Sequence, residues 1–429
     1  MDRRLNTYST NKSSRLIQAT PFFYGWVIVA AGTLDVILMG PSQTFTVGVF
    51  IDSFIADLGI SRANISLIYG VATLGGSLLL PLMGRLVDRY GASRMILVVA
   101  LGLGLSVASV SLAHGVLTLL LAMLAIRFFG FGSTQLVINN AIAHWFIRQR
   151  GKVMGITGLS LAASLLIYPS LAEYLIDNLG WRAAWVLMGA SVLVVMLPVS
   201  WLFFKDKPEQ YGLLPDGDLP AAAGSNGLVS DENWTLAEAR RTGAFWIFAA
   251  ALSTMTMLLA GLVFHQLSLF EVRGLPRETA VSAFYAMAIA SVVGNLGMGY
   301  LLDRYSARLL LSLTLFILAA AVVLVQVITT PLQGALFSGL VGLTSGSFRV
   351  IDSVVWAKYY GRTHLGSIKG ATMLGVIGAT ALGPYPLGLS YDALGSYSYA
   401  LNGLLVLPVA IGIVALFINR PQKPNSGRG

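Results

Sequence analysis

The chain has 429 residues; 56% are apolar and 11% carry charge, where soluble domains carry roughly 25% charge. That balance cannot cover a soluble body of this size. Apolar stretches of about 20 residues, the length that crosses a hydrocarbon core about 30 Å thick, recur throughout, so the chain reads as a multi-pass membrane protein. With no cysteine, disulfides, thiolate nucleophiles and cysteine-ligated metals are excluded. The net charge of +9 invites a nucleic-acid reading, but the placement of those charges explains it better and no nucleic-acid partner is expected.

Met1 to Thr20 is polar and basic and lacks the apolar core of a cleavable signal, so residues 1–21 read as a cytoplasmic tail. Twelve helical spans follow, at roughly 22–50, 63–83, 95–113, 117–145, 153–175, 184–204, 244–270, 279–301, 309–328, 331–357, 366–390 and 398–418. Helices are expected because lipid offers the backbone no hydrogen bonds and no barrel-like alternation is present. With the N-terminus inside, most of the 28 Lys and Arg residues fall on cytoplasmic segments. Arg62, Arg182, Arg273 and Arg277 fall outside, and Arg127 and Arg349 within spans. Both termini are therefore expected in the cytoplasm, with 419–429 as a tail. The polar stretch 205–243 reads as a flexible linker between a first bundle at 22–204 and a second at 244–418. Its end, DENWTLAEARR, suggests a short helix in which Thr235 and Glu238 form a capping box.

A shift of 215 residues superposes the punctuation of the two halves. GRLVDRY at Gly84–Tyr90 falls on GYLLDRY at Gly299–Tyr305. Gly59 falls on Gly274, Arg62 on Arg277, Pro169 on Pro384, Asp177 on Asp392 and Gly180 on Gly395. Repeated halves place a binding site at their interface near the midplane, exposed alternately as one half rocks against the other.

The segment GRLVDRYGASR, Gly84–Arg94, resembles the loop signature of the major facilitator superfamily between spans two and three, and GYLLDRYSAR supports it. Gly84 is expected to allow close helix packing. Asp88, Arg89, Asp303 and Arg304 are expected to make charge contacts that hold a gate. Arg127-Phe-Phe-Gly130-Phe-Gly132 is similar to the superfamily's Arg-x-x-Gly-x-Gly pattern, which implies proton-linked transport. FYGW at Phe23–Trp26, TVGVFIDSF at Thr46–Phe54, WFIRQRGKVMGI at Trp145–Ile156 and YYGRTHLGSIKG at Tyr359–Gly370 look like the bacterial monocarboxylate and oxalate/formate-type carriers. The resemblance implies an all-α membrane protein of two pseudo-symmetric six-helix bundles, in the cell (inner) membrane. Those carriers often have a basic residue in span eight; this chain has Asn295 there instead.

A charge at the centre of a span costs at least about 2.5–3.5 kcal/mol, so such residues should face the bundle interior with partners. Asp35 and Arg127 both fall near mid-membrane and are expected to face each other, either as a proton site or as a permanent ion pair. Arg349 and Asp352 are i, i+3 on one helix face. Arg349 is the first candidate to capture a substrate carboxylate, the alternative being that Asp352 neutralises it; Asp352 joins Asp35 as a candidate proton-coupling acid. Gln135 is the counterpart of Arg349 in the first half, and His265, Asn295, Tyr168 and Tyr385 complete the candidate substrate-binding set. His265 and the tyrosines and asparagines equally fit helix-to-helix hydrogen bonding.

The leading reading is a secondary carrier of a small organic anion, expected to be a monocarboxylate, moved with a proton. The alternative is a proton-coupled exporter of a neutral or cationic amphiphile. No nucleophile–base pair, metal spacing or cofactor motif points to an enzyme, and GxxxxGK[ST] is absent. A monomer is expected, because each half supplies the other's partner.

Overall fold

A computed structural model describes residues 15–217, 234–361, 364–419 and 421. Much of the expected tails and the middle of the expected linker therefore lie outside the described residues. Among the described residues every regular element is a helix, as a backbone that must satisfy itself in lipid requires. Ten helices among the described residues are long and apolar enough to cross a membrane. The longest, Gly155–Phe203, would measure about 74 Å if straight, more than twice the hydrocarbon thickness. It breaks at Gly180, whose φ of 80° and ψ of 159° are non-helical, and so comprises spans five and six. Span one opens with the shorter apolar helix Gly25–Leu38, which completes the set of twelve. Exposed Leu78, Leu112, Leu117 and Leu332 stud the outer surfaces, as lipid-facing helices demand.

Several spans expected to be continuous are broken, and proline explains three of the breaks. Span one, read from sequence as a single helix over 22–50, ends its α-helix at Leu38 and passes through a 3₁₀ turn at Gly40–Ser42 into Thr44–Val49 and Ile51–Leu58. Pro41 has no N–H to donate, and its ring opposes the carbonyl four residues back. Span two divides at Leu79 ahead of Pro81, and span eleven divides between Leu365–Leu382 and Pro384–Leu394.

The repeat is visible in the backbone. Gly59 and Gly274 both adopt positive φ, 64° and 75°, and so do Gly180 and Gly395, 80° and 65°. Two sequence-matched pairs thus occupy the left-handed region where glycine carries little penalty.

The chain forms two compact units. One lies within Met1–Gln43, Gly75–Ser164 and Leu175–Gly227, the other within Thr44–Leu74, Leu165–Tyr174 and Leu228–Gly429. Segments 44–74 and 165–174 of the first repeat thus belong to the same compact unit as the whole second repeat. In the first unit two linker aspartates fasten helix starts. Asp206 accepts hydrogen bonds from the backbone N–H and hydroxyl of Ser93, each at 2.8 Å, at the start of Ala92–Ser109. Asp216 accepts from the backbone N–H groups of Ile147, Arg148 and Gln149 at 3.0, 2.8 and 3.1 Å. Slight burial pushes the Asp216 carboxyl up, but the three N–H donors and the charge of Arg148 outweigh it and hold it below the usual range.

In the second unit span eight, Arg277–Arg304, packs directly on span ten, Pro331–Tyr360. A Cβ on Gly346 would collide with the Ser291 carbonyl, one on Gly342 with the Met287 carbonyl, and one on Gly294 with the Leu343 carbonyl. These clashes are with backbone, which cannot swing aside, so the contact requires glycine. Gly339 on the same helix meets nothing within 4 Å. Gly346→Leu should therefore lower the unfolding temperature in detergent by several degrees, consistent with an overpacking cost of about 1–3 kcal/mol. Gly339→Leu should leave it nearly unchanged; equal losses in the two variants would contradict the packing described.

Candidate functional site

Span ten carries Arg349 eleven residues before its end at Tyr360, about 16 Å along the axis and so well inside the membrane. The Arg349 side chain is exposed although protein surrounds it in depth, as for a side chain that lines a recess. Among the described residues no ion pair, hydrogen bond or ring contact involves Arg349. Asp352, one turn further on, does not neutralise it. Its Oδ2 lies 3.0 Å from Lys369 Nζ on span eleven, and its Oδ1 accepts a hydrogen bond from Trp356 Nε1 at 3.1 Å. The alternative read from sequence, that Asp352 neutralises Arg349, does not hold here, because Lys369 offers a competing charge from the next helix.

Asp35 and Arg127 lie in the other unit, and they do not pair with each other as expected. Asp35 is fully buried; Ser200 donates its hydroxyl to Oδ2 at 3.0 Å, and Oδ1 has no hydrogen-bond partner. Arg127 begins a π-helical stretch, Arg127–Thr134, within span four. Such widened turns frequently mark functional places in helices. Its Nη1 donates to the Ser42 carbonyl at 2.8 Å, and its Cζ sits 4.0 Å from the centre of the Phe131 ring. Gly130 allows this approach, because a Cβ there would strike the Ser42 side chain. The carbonyl that holds Arg127 is supplied by the 3₁₀ turn around Pro41, the break in span one that a uniform helix would not have created. Gln135, the residue directly after the π-helical stretch, donates to Asn139 Oδ1 at 3.3 Å.

The second unit also holds an ionic cluster that the sequence reading did not anticipate. Arg62 and Arg277, matched in the repeat, both donate to Asp52: Arg62 Nη2 to Oδ1 and Arg277 Nη1 to Oδ2, each at 2.7 Å. Arg277 also reaches Glu173 Oε1 at 2.5 Å and the Val49 carbonyl at 2.6 Å. The signal available in the sequence was the repeat itself, which put an arginine at the start of spans two and eight. Beneath the cluster lies His265, fully buried. Its Nε2 faces the Pro384 carbonyl at 2.9 Å and Ser66 Oγ at 3.2 Å, so Nε2 carries the hydrogen, because a carbonyl only accepts. Its Nδ1 is buried without a hydrogen-bond partner. His265 thus ties span two to spans seven and eleven and does not face water. Tyr168 is buried as well, whereas Asn295 and Tyr385 are half-buried and make no side-chain hydrogen bond among the described residues.

At the opposite end of span two the expected gate contacts are not made. An added Cβ on Gly84 would meet nothing within 4 Å, so no helix packs closely there. Asp88 and Asp303 are exposed and take part in no ion pair or hydrogen bond among the described residues. Arg89 and Arg304 lie over their neighbours Tyr90 and Tyr300 at 5.2 and 4.1 Å. Both copies of the GRLVDRY segment lie at helix ends, Leu80–Tyr90 and Arg277–Arg304, and not in loops.

Repeated bundles of apolar helices with charged side chains held inside them define a membrane transporter. The model of the Major Facilitator Superfamily matches residues 34–296 and 278–429, and the chain belongs to that superfamily. Similar proteins include a hexuronate transporter of Bacillus subtilis (strain 168), 24% identical over 83% of this chain and 86% of that protein. Another is a multi-drug resistance efflux pump PmrA homolog of Lactococcus lactis subsp. lactis (strain IL1403), 24% identical over 70% of this chain and 72% of its own. The fold matches the crystal structure of a bacterial homolog to the human lysosomal transporter Spinster in an inward-facing and unoccupied conformation. That match has a TM-score of 0.70 and 17% identity and covers 93% of this chain and 96% of that one.

The cluster around Asp52 gives a direct test of its fastening role. Because the chain has no native cysteine, a single Ser66→Cys substitution reports on the buried space below Arg62. Asp52→Asn in that background should raise the maleimide labelling rate severalfold. An unchanged rate would show that the cluster does not hold this end shut.

Proposed function

We propose that this transporter carries a small organic anion, a monocarboxylate in the first instance, with a proton, and that Arg349 is the counter-charge for that anion. One observation carries the reading: Arg349 lies well inside span ten, exposed and without an ion pair or hydrogen bond among the described residues, with its nearest helical acid occupied by Lys369. Maintaining such a charge is costly, and an anionic solute would relieve the cost when it binds. The planar guanidinium suits a carboxylate, which it can grip with two parallel hydrogen bonds. The similar protein named for hexuronate, an organic acid, supports the same class of solute.

Asp35 takes the proton on this reading. A carboxyl enclosed with one hydroxyl partner and no cation is not part of a permanent ion pair. Its charge state therefore has to change with the access of water, which is what coupling to a proton gradient requires. Alternating access links the solute and proton sites on this reading. The placement of basic residues supports a cell-membrane protein with both termini in the cytoplasm; that each half supplies the other's partner supports a monomer.

The similarity to an efflux pump favours a second reading, a proton-coupled exporter of a neutral or cationic amphiphile. An open arginine argues against a cationic solute, because like charges repel.

Binding to the purified protein separates the two readings. With pyruvate, lactate, oxalate and glucuronate as probes, at least one should bind, and Arg349→Gln should weaken it tenfold or more. Arg349→Lys should also lose affinity, because an ammonium cannot reproduce the two-pronged contact. Affinity retained in Arg349→Gln would exclude the role. In proteoliposomes, Asp35→Asn should abolish uptake driven by an acidic exterior while solute exchange continues. Proton-driven uptake unchanged by that substitution would remove Asp35 from the mechanism.

A further inference from the structure

We infer that Lys369 is a positioning residue whose task is to keep Arg349 available, by holding Asp352 away from it; the inference rests on Arg349 being the anion site. Arg349 and Asp352 are three residues apart on one helix, a spacing at which oppositely charged side chains normally meet. They do not meet here. Both carboxylate oxygens are taken from the side further along span ten: Lys369 Nζ lies 3.0 Å from Oδ2, and Trp356 Nε1 donates to Oδ1 at 3.1 Å. Trp356 is fully buried and wedged among Phe245, Phe248 and Tyr360, so its indole N–H is a fixed donor. It aims the carboxylate toward the end of the helix and away from Arg349. Lys369 comes from a different element, Leu365–Leu382 of span eleven, and its contact with Asp352 depends on how spans ten and eleven are placed.

The Lys369–Asp352 pair is about one-third exposed on each side, 35% and 32%. An ion pair that wet is weak and exchanges partners readily. Asp352 therefore has two competing cations within reach, and the solute has one internal rival for Arg349. While Lys369 holds Asp352, the guanidinium is open to an external anion. When span eleven withdraws Lys369, Asp352 turns back one helical turn and occupies Arg349 itself, displacing the solute. The arrangement supplies a release step as well as a receptive state, and it leaves the empty carrier with its intramembrane charge neutralised.

The test reads the state of Arg349 without relying on a solute. Phenylglyoxal modifies unpaired guanidinium groups, and its rate at Arg349 is followed by mass spectrometry of the peptide that contains it. Lys369→Gln should slow that reaction severalfold, because Asp352 now pairs with Arg349. Lys369→Arg should leave it near the wild-type rate, and Lys369→Gln combined with Asp352→Asn should restore it. An unchanged rate in Lys369→Gln overturns the inference. So does a slow rate that persists in the double variant, which would trace the effect to disturbed packing and not to Asp352. Oxalate binding gives the parallel readout, weakened in Lys369→Gln and recovered in the double variant. If Arg349→Gln weakens oxalate while Lys369→Gln changes neither measurement, the anion site stands and the positioning role falls. If Arg349→Gln leaves binding intact, the anion site itself is wrong.

Discussion

An ionised side chain in the middle of a membrane costs more than any single helix contact returns, so a chain that keeps several of them inside its spans must arrange the rest of its structure around their partners. Four of the sequence-marked charges are accommodated here in four ways. Asp35 is enclosed with a serine hydroxyl. Arg127 is held by a backbone carbonyl and an aromatic face. Asp352 is shared between a lysine and a tryptophan. Arg349 is exposed and has no ion pair or hydrogen bond among the described residues. Many local irregularities of the fold serve these accommodations. The break at Pro41 turns a carbonyl toward Arg127, the π-helical stretch carries that arginine, and the glycine contacts of spans eight and ten fix the helix that bears Arg349.

Much of the architecture was legible in the sequence, because the signals for it are long and redundant. Twelve apolar stretches and the 215-residue repeat each occupy many residues, and single exceptions do not erase them. The repeat even foretold backbone conformation, since the matched glycines at 59 and 274 and at 180 and 395 share a left-handed φ. The capping box at Thr235 and Glu238 was equally readable, and Glu238 N–H does donate to the Thr235 hydroxyl, at 3.3 Å. A capping box is local: its partners are three residues apart and need no tertiary information.

The charged partners were not legible, for the converse reason. Asp35 and Arg127 lie at the same depth, and depth was all the sequence supplied; the rotation of each helix about its axis decides whether two side chains face each other. Arg349 and Asp352 share a helix face, but spacing along one helix does not reveal a lysine brought in by another. Asp52 was passed over because it sits near a helix end, where acids are common. Only the folded chain shows that it gathers both repeat-related arginines. Gly84 shows a different limit: a glycine placed to permit close packing is not thereby in contact, and in this conformation nothing touches it.

The same comparison bears on how a symmetric scaffold supports an asymmetric task. Duplication gave each half the same helices and turns, and where the duplicated residues remain alike, as with Arg62 and Arg277, they converge on one acid and fasten one end. Where the copies have diverged, function separates. Gln135 stands one residue out of register with Arg349, so the second half has a charge where the first has an amide. Asp35 falls on Ala250 at the 215-residue shift, so the acid has no counterpart in the second half. An acid in one repeat and an open arginine in the other are charges that the duplication did not require. Each carries an intramembrane cost that packing alone would have avoided, and on the proposed reading the first answers to a proton and the second to an anion.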